Sequence, residues 1–421
     1  RLREQSLLVL EEREEEPCFR MLETVREYAQ SKLKAEGKSD AIAEKHATHY
    51  LETARLQEGR LRETGAASAF QLLSARVDNL RAAQDWLWKS ERYALAAEMY
   101  LDLGEFWERK GWYREERAYL DQAVQRLDSL PEDSLRARVL KSAGWIAYLL
   151  GDLTDAEGLT QRCLDASIEA NLHDIQANAL NNLALIAQSR HALDKAEHLL
   201  QESIAILRTL GNDRALADRL SNLGLLESTL GHSDQAQACL EEARKIYERH
   251  SDTKGVAGWL CNQSDLALKQ TNWTEAFMLA GQSLQRFRQV DDRLGIACAL
   301  ANQAEAASRL GQHEVVDAAL NEAYSICADT KLYFLAPILL LTYARSQAER
   351  QQIRSAAMAL AAVRRLHTLL EIPDTPHEQQ EMQLMERELR QKDTENLLDA
   401  VTSAFAEASM EDILAQLPYP R

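Results

Sequence analysis

One pattern returns through the middle of this chain with a fixed period of about 40 residues, and it limits the fold more than any other feature. Leucine stands at Leu140, Leu180, Leu220, Leu260, Leu300 and Leu340. Four positions on comes a small residue: Gly144, Ala184, Gly224, Ser264, Ala304 or Ala344. Twelve further on comes Ala156, Ala196, Ala236, Ala276, Val316 or Ala356. Six matches in register make a repeat. Each unit must then bury its apolar face against its neighbours, which lets 421 residues fold without one oversized core.

The units are helical. Seven prolines and sixteen glycines interrupt runs rich in Ala, Leu, Glu, Gln and Arg, all strong helix formers. In each unit a first helix carries the leucine and the small residue. A turn follows, at Gly151-Asp152, His191-Ala192, Gly231-His232, Thr271-Asn272 or Gly311-Gln312, and a second helix carries the alanine. Two sites without bulk let the helix backbones approach, while the leucine fills the groove between units. Burying it is worth roughly 1.5–3 kcal/mol.

Composition narrows the function classes. The charge, 49 − 66 = −17, repels phosphates, so direct nucleic-acid contact is not expected. The six cysteines form no CxxC pair, which speaks against a disulfide framework or zinc site and for free thiols in a cytoplasmic protein. No apolar run reaches the roughly 18 residues of a membrane span. No HExxH, GxSxG or phosphate loop is present, and Gly37-Lys38-Ser39 fails as a P-loop because Lys32 stands where its first glycine belongs. No enzyme, metal site or cofactor is expected within these residues. His46 and His49 share a helix face but lack further ligands.

Ahead of the array, Ser6–Leu10 and residues 18–22 read as the strands of a hairpin around an acidic turn, followed by a helix with Val25, Tyr28, Ala29 and Leu33 on one face, ending near Gly37. Residues 41–90 read as two or three helices with a break near Gly65. Residues 93–110 and 113–130 read as two more, with Trp107 and Trp112 packed between them. Ile372-Pro-Asp-Thr-Pro376 stops the array, and helices over 377–392 and 394–417 close its end.

Leucine, small residue at plus four and alanine at plus sixteen is the spacing of a tetratricopeptide repeat, here with a period of about 40 residues where about 34 is usual. HEAT repeats share the period but not the fixed small-to-alanine spacing. The stretch SLLVL…CFRMLETVREYAQSKL (6–10, 18–33) resembles the last hairpin and helix of the winged-helix module in bacterial STAND-type signalling ATPases. DNLRAAQDWL (78–87) is similar to the segment leading into their repeats, and the links at 211–224 and 291–304 look like those repeats.

The resemblance implies an all-α solenoid, a right-handed tetratricopeptide superhelix with a small β-hairpin, winged-helix remnant at its start. Its parts would be the winged-helix end (1–40), a helical connector (41–92), the array (93–370) and capping helices (371–421). It further implies the sensor arm of an NB-ARC-like ATPase of LuxR-type or related transcriptional regulators, with ATP or ADP held only in a domain upstream. A ligand in the arm would control nucleotide exchange and assembly through contact with that ATPase. A passive scaffold for a partner's peptide is the alternative.

The site would be the inner wall built by the first helices. Asparagines at Asn182, Asn222, Asn262 and Asn302, two residues before the small position, form a ladder of donors and acceptors suited to an extended backbone; the competing role for the same amides is to fix helix stacking. Lys141, Trp145, Asn178, Asp218, Asp265, Lys269, Glu305 and Arg309 complete the expected wall, whose charge changes sign along its length. A protein, a peptide or a small-molecule inducer is the expected guest.

Overall fold

The computed structural model describes residues 8–11, 18–61, 66–330, 332–370, 372–374, 376–392, 397–409 and 412–413. It divides into two compact units, Arg1–Leu103 and Gly104–Arg421.

In the first unit, strands β1 (Leu8–Glu11) and β2 (Cys18–Met21) pair antiparallel, Leu8 opposite Met21 and Glu11 opposite Cys18. The expected turn at 12–16 and the break at Gly65 lie outside the described residues. Helix α1 (Glu23–Ala35) stops at a left-handed Gly37. Its expected apolar face is only partly covered, for Val25, Ala29 and Leu33 are half-buried and Tyr28 is exposed. The core of this unit lies among α2 (Ser39–Leu61), α4 (Val77–Lys89) and α5 (Tyr93–Asp102), with α3 (Ala66–Ala75) against α2. Leu51, Leu80, Ala83 and Leu87 fill it, and buried Gln84 donates to the Ala96 carbonyl at 2.8 Å. His46 meets Asn79 at 3.3 Å, the polar surface contact of an ordinary helix. Among the described residues no group of three metal-ligating side chains occurs.

The expected helix over 93–110 is split at Leu103, just before Gly104, a poor helix residue. The second unit therefore opens with α6 (Gly104–Lys110) and α7 (Tyr113–Val124), the latter ending earlier than 130 in a short 3-10 turn at Leu127–Ser129. Phe106, Trp107 and Trp112 pack together at this first turn.

Six helix pairs follow: α8 (Asp133–Leu149) with α9 (Leu153–Glu169), α10 (His173–Ser189) with α11 (Leu193–Leu210), α12 (Asp213–Thr229) with α13 (Ser233–Arg249), α14 (Thr253–Lys269) with α15 (Trp273–Gln289), α16 (Arg293–Arg309) with α17 (His313–Thr330), and α18 (Ala336–Glu349) with α19 (Ile353–Leu369). Helices α20 (Pro376–Lys392) and α21 (Leu397–Phe405) pack on the last pair. Most of the expected terminal helix beyond 405 lies outside the described residues.

The local rule is a turn at every half-period. Residues 91, 111, 151, 171, 191, 211, 231, 251, 271, 291, 311 and 351 all have positive φ, and only five of these twelve are glycine. At each of these turns the next residue's N–H reaches back five positions to a helix carbonyl, as Asp152 does to Ala147 and Asn272 to Ala267. These bonds satisfy the last carbonyls of one helix. Asp152, Asn212, Asp252 and Asp292 then cap the next through their side chains.

The repeat columns form the core. The six leucines are 0–5% exposed, and the alanine column, with Val316, is fully enclosed. The small column is small by necessity. A Cβ on Gly144 would lie 2.4 Å from the Thr160 hydroxyl, one on Gly224 would lie 2.7 Å from Leu240 Cγ, and the Ser264 hydroxyl donates to the Ala276 carbonyl at 2.8 Å. A second tie was not read from the sequence. Buried Ser203 and Ser283 donate across each pair, to the carbonyls of Ala177 and Ala257, 26 residues back; Cys163 occupies the same column against Ala137. Serine or cysteine in an otherwise apolar column, at 163, 203 and 283, is the signal that reveals it.

Candidate functional site: the inner wall of the helical array

Successive first helices touch one another, while successive second helices make little mutual contact. The first helices are therefore the tighter, inner row. Asn222 donates to the Asn181 amide oxygen at 2.8 Å and Asn302 to the Cys261 carbonyl at 3.0 Å, each reaching the first helix one repeat back. Asn182 accepts from Asn181 at 3.4 Å. Of the two roles open to this column, stacking thus takes an amide donor from both Asn222 and Asn302. Asn262 has no such bond among the described residues and stands half-buried beside them.

The other expected wall residues fall into three groups along the array. In α8, Trp145 stacks on Tyr148 with ring centres 5.6 Å apart, and Tyr148 faces Phe334, which precedes α18, at 6.3 Å. Lys141 lies close enough to oppose the raised proton affinity of Glu108. In the middle, Arg219 donates to Asn178 at 2.5 Å, and Asp218 accepts from the Tyr247 hydroxyl at 2.7 Å. Burial pushes the Asp218 carboxyl above the usual carboxylate range, though Arg219 opposes this. Towards the end, Lys269 bridges Asp265 at 2.9 Å and Thr229 at 3.1 Å. Glu305 and Arg309 there belong to a cluster with Arg345 and Glu381.

Asp218 and Lys254 show what kind of surface this is. Both keep solvent-exposed area, 41% of the side chain for Lys254, yet groups on other helices reach them, Tyr247 of α13 at Asp218 and Glu105 of α6 at Lys254. Side chains that stay partly exposed while groups on other helices reach over to them lie on a concave surface.

The concavity is closed by contacts absent from the sequence-based expectation. Lys254 on α14 bridges Glu105 of α6 at 3.2 Å and the capping Asp292 at 3.3 Å. Arg109 adds a bond to Glu105 at 2.9 Å and one to the Val290 carbonyl at 3.2 Å. Gly111 lies against Thr330, Gly151 against Leu370, and His191 reaches the Pro373 carbonyl at 2.8 Å. The array curls until its first turns rest on its last links. Within the closing contact, burial opposes ionisation of Glu105, but Lys254 and Arg109 hold its carboxyl down at about 2. Glu108 goes the other way, raised to about 7 by burial and then by the Glu105 charge. Burial also works against the Lys254 charge, but Asp292 and Glu105 more than offset it.

A cleft of about 270 Å³ between second helices α11 and α13 touches none of the expected wall residues. Cys163, Cys239, Cys261, Cys298 and Cys327 are free thiols, and burial pushes all five up, which disfavours the thiolate.

Residues 175–249 and 255–329, four helices each, match the tetratricopeptide-repeat family model. These stretches are tetratricopeptide repeats. No curated protein sequence matches the chain. Among solved structures it is similar to a Rap protein complexed with competence and sporulation factor, at 14% identity and TM-score 0.57, over 79% of this chain and 99% of that one. It is also similar to the Rap conjugation gene regulator of the plasmid pLS20 in complex with the Phr* peptide, at 12% identity and TM-score 0.52, over 85% and 97%. A STAND protein with a tetratricopeptide repeat sensor from Pyrococcus horikoshii aligns over 96% of this chain and 60% of its own, at 14% identity and TM-score 0.43. At such identities the likeness to the two Rap proteins is one of fold. Among the described residues, no helix is long and apolar enough to cross a membrane.

Proposed function

We propose that the tetratricopeptide array binds an extended segment of a partner protein or peptide along its inner wall, as the regulatory arm of a STAND-type signalling ATPase. The observation that carries the binding half is the wall itself: half-buried or exposed side chains in contact with neighbouring helices, aromatic at Trp145 and Tyr148 and charged from Asp218 to Arg309. An enclosed concavity with changing chemistry can select one extended guest, because each position contributes a different contact. The peptide bound by the similarly folded pLS20 regulator supports this class of guest.

The signalling half rests on the winged-helix-like residues 6–10 and 18–33 and on DNLRAAQDWL at 78–87. A bound guest drives a switch only to the extent that it favours one arrangement of the arm over another. Nucleotide turnover of the full-length protein, with and without residues 104–421, tests that half: equal rates leave the array a passive scaffold. For the binding half, peptides selected from a random display library should protect residues 141–148, 178–185 and 218–225 from hydrogen exchange. Protection confined to the second helices refutes it.

A further inference from the structure

Towards the C-terminal end of the inner wall, guanidinium donors exceed the acceptors that reach them. Arg309, the last residue of α16, and Arg345 of α18 both bind one carboxylate oxygen, Oε1 of Glu381 on α20. Arg309 Nη2 lies at 2.9 Å, Arg345 Nε at 2.6 Å and Arg345 Nη2 at 2.5 Å. The nearby wall carboxylate of Glu305 is 3.9 Å from Arg345, outside hydrogen-bonding distance, and burial pushes its carboxyl up. Donors are left over. The Arg345 side chain is only 8% exposed, and its Nη1 has no partner among the described residues. Arg309 Nε and the adjoining Ser308 hydroxyl are likewise enclosed without one among the described residues. Trp273 lies under the Arg309 guanidinium, 5.3 Å from it, and helps fix its position.

Two held guanidiniums with unspent N–H groups suit a carboxylate that can bond through both oxygens. Glu381 engages them through one. The helix that carries it is held by Met382, Met385 and Leu389 and by the ion pair of Arg364 with Glu386, a short apolar stripe beside a largely acidic and polar surface. We propose that Arg309 and Arg345 form a carboxylate-binding subsite of the inner wall, kept occupied by Glu381 of α20 until an acidic peptide segment displaces it. This builds on the reading of the wall as a binding surface and adds the chemistry of the guest, an aspartate, glutamate or terminal carboxylate at this position. It also gives binding a consequence, because the incoming carboxylate releases α20.

The net charge of −17 helps the test, since a non-specific surface would repel an acidic probe. The probe is fluorescein-labelled hexaglutamate, titrated by anisotropy into the full chain. Glu381→Gln should bind it roughly ten to a hundred times more tightly than the unaltered chain, the value of one or two charge-assisted bonds no longer in competition. Adding Arg309→Gln, at a side chain less buried than Arg345, should remove the gain. Saturating probe should speed hydrogen exchange of residues 376–392 in the unaltered chain. Equal affinity with and without Glu381→Gln overturns the proposal, and so does a gain that survives Arg309→Gln. Failure of the wider binding reading has a separate sign: selected peptides then leave residues 141–225 unprotected, whatever hexaglutamate does.

Discussion

The two halves of the inner wall rest on the same framework and carry different chemistry. From α8 to α12 the wall residues one turn past the leucine are Trp145, Leu185 and Leu225; from α14 to α18 the same column reads Asp265, Glu305 and Arg345. Beneath both, the leucine, small and alanine columns, with Val316 the one larger residue in the last, continue buried. The framework is confined by close approach of helix backbones, which admits few side chains. The wall meets no such limit, so its residues are free to differ, and they differ as a surface with separate subsites would.

If the framework is common to both halves, Leu180→Ala and Leu300→Ala should each destabilise the array by about 2–5 kcal/mol, read from denaturant unfolding. A large cost in one half alone would break the comparison. Close approach is tested next by Gly255→Ala, whose Cβ would stand 2.1 Å from the Tyr247 ring; overpacking there should cost about 1–3 kcal/mol. The tie between the halves is sharpened by Glu108→Gln. The Glu108 carboxyl sits near 7 in the folded state against 4.5 ordinarily, so the fold binds the extra proton between those values and loses stability as pH rises through them. The glutamine variant should match the parent at pH 4 and exceed it by on the order of 2 kcal/mol at pH 8 in thermal melts. Smallest is Thr271→Gly, which relieves a β-branched residue at φ +59° and should add about 1 kcal/mol. A loss instead would mean that the turn depends on the threonine side chain.

Much of the fold was legible because its rules are local. Helix formers, a break at each half-period and three columns at fixed spacing require only neighbouring units to agree, and the turns at Gly151, His191, Gly231, Thr271 and Gly311 fall where expected. The placement of the candidate wall residues on the first helices was legible in part. Trp145, Asp218 and Lys269 stand among wall residues, but Asn222 and Asn302 were open to two roles, and only the positions of Asn181 and Cys261 showed a donor of each engaged in stacking. The buried Ser203 and Ser283 ties were within reach of the sequence, since hydroxyls in an apolar column need partners.

What the sequence determined by itself was the period, the helix pairing and the residues that must be small or apolar, because these are contacts between adjacent segments. What only the tertiary structure decided was the closure: Lys254 between Glu105 and Asp292, and Glu381 reaching Arg309 and Arg345. Those partners meet because a small rotation at each unit accumulates over several units, and a sum of that kind leaves no fixed spacing in the chain from which to read it.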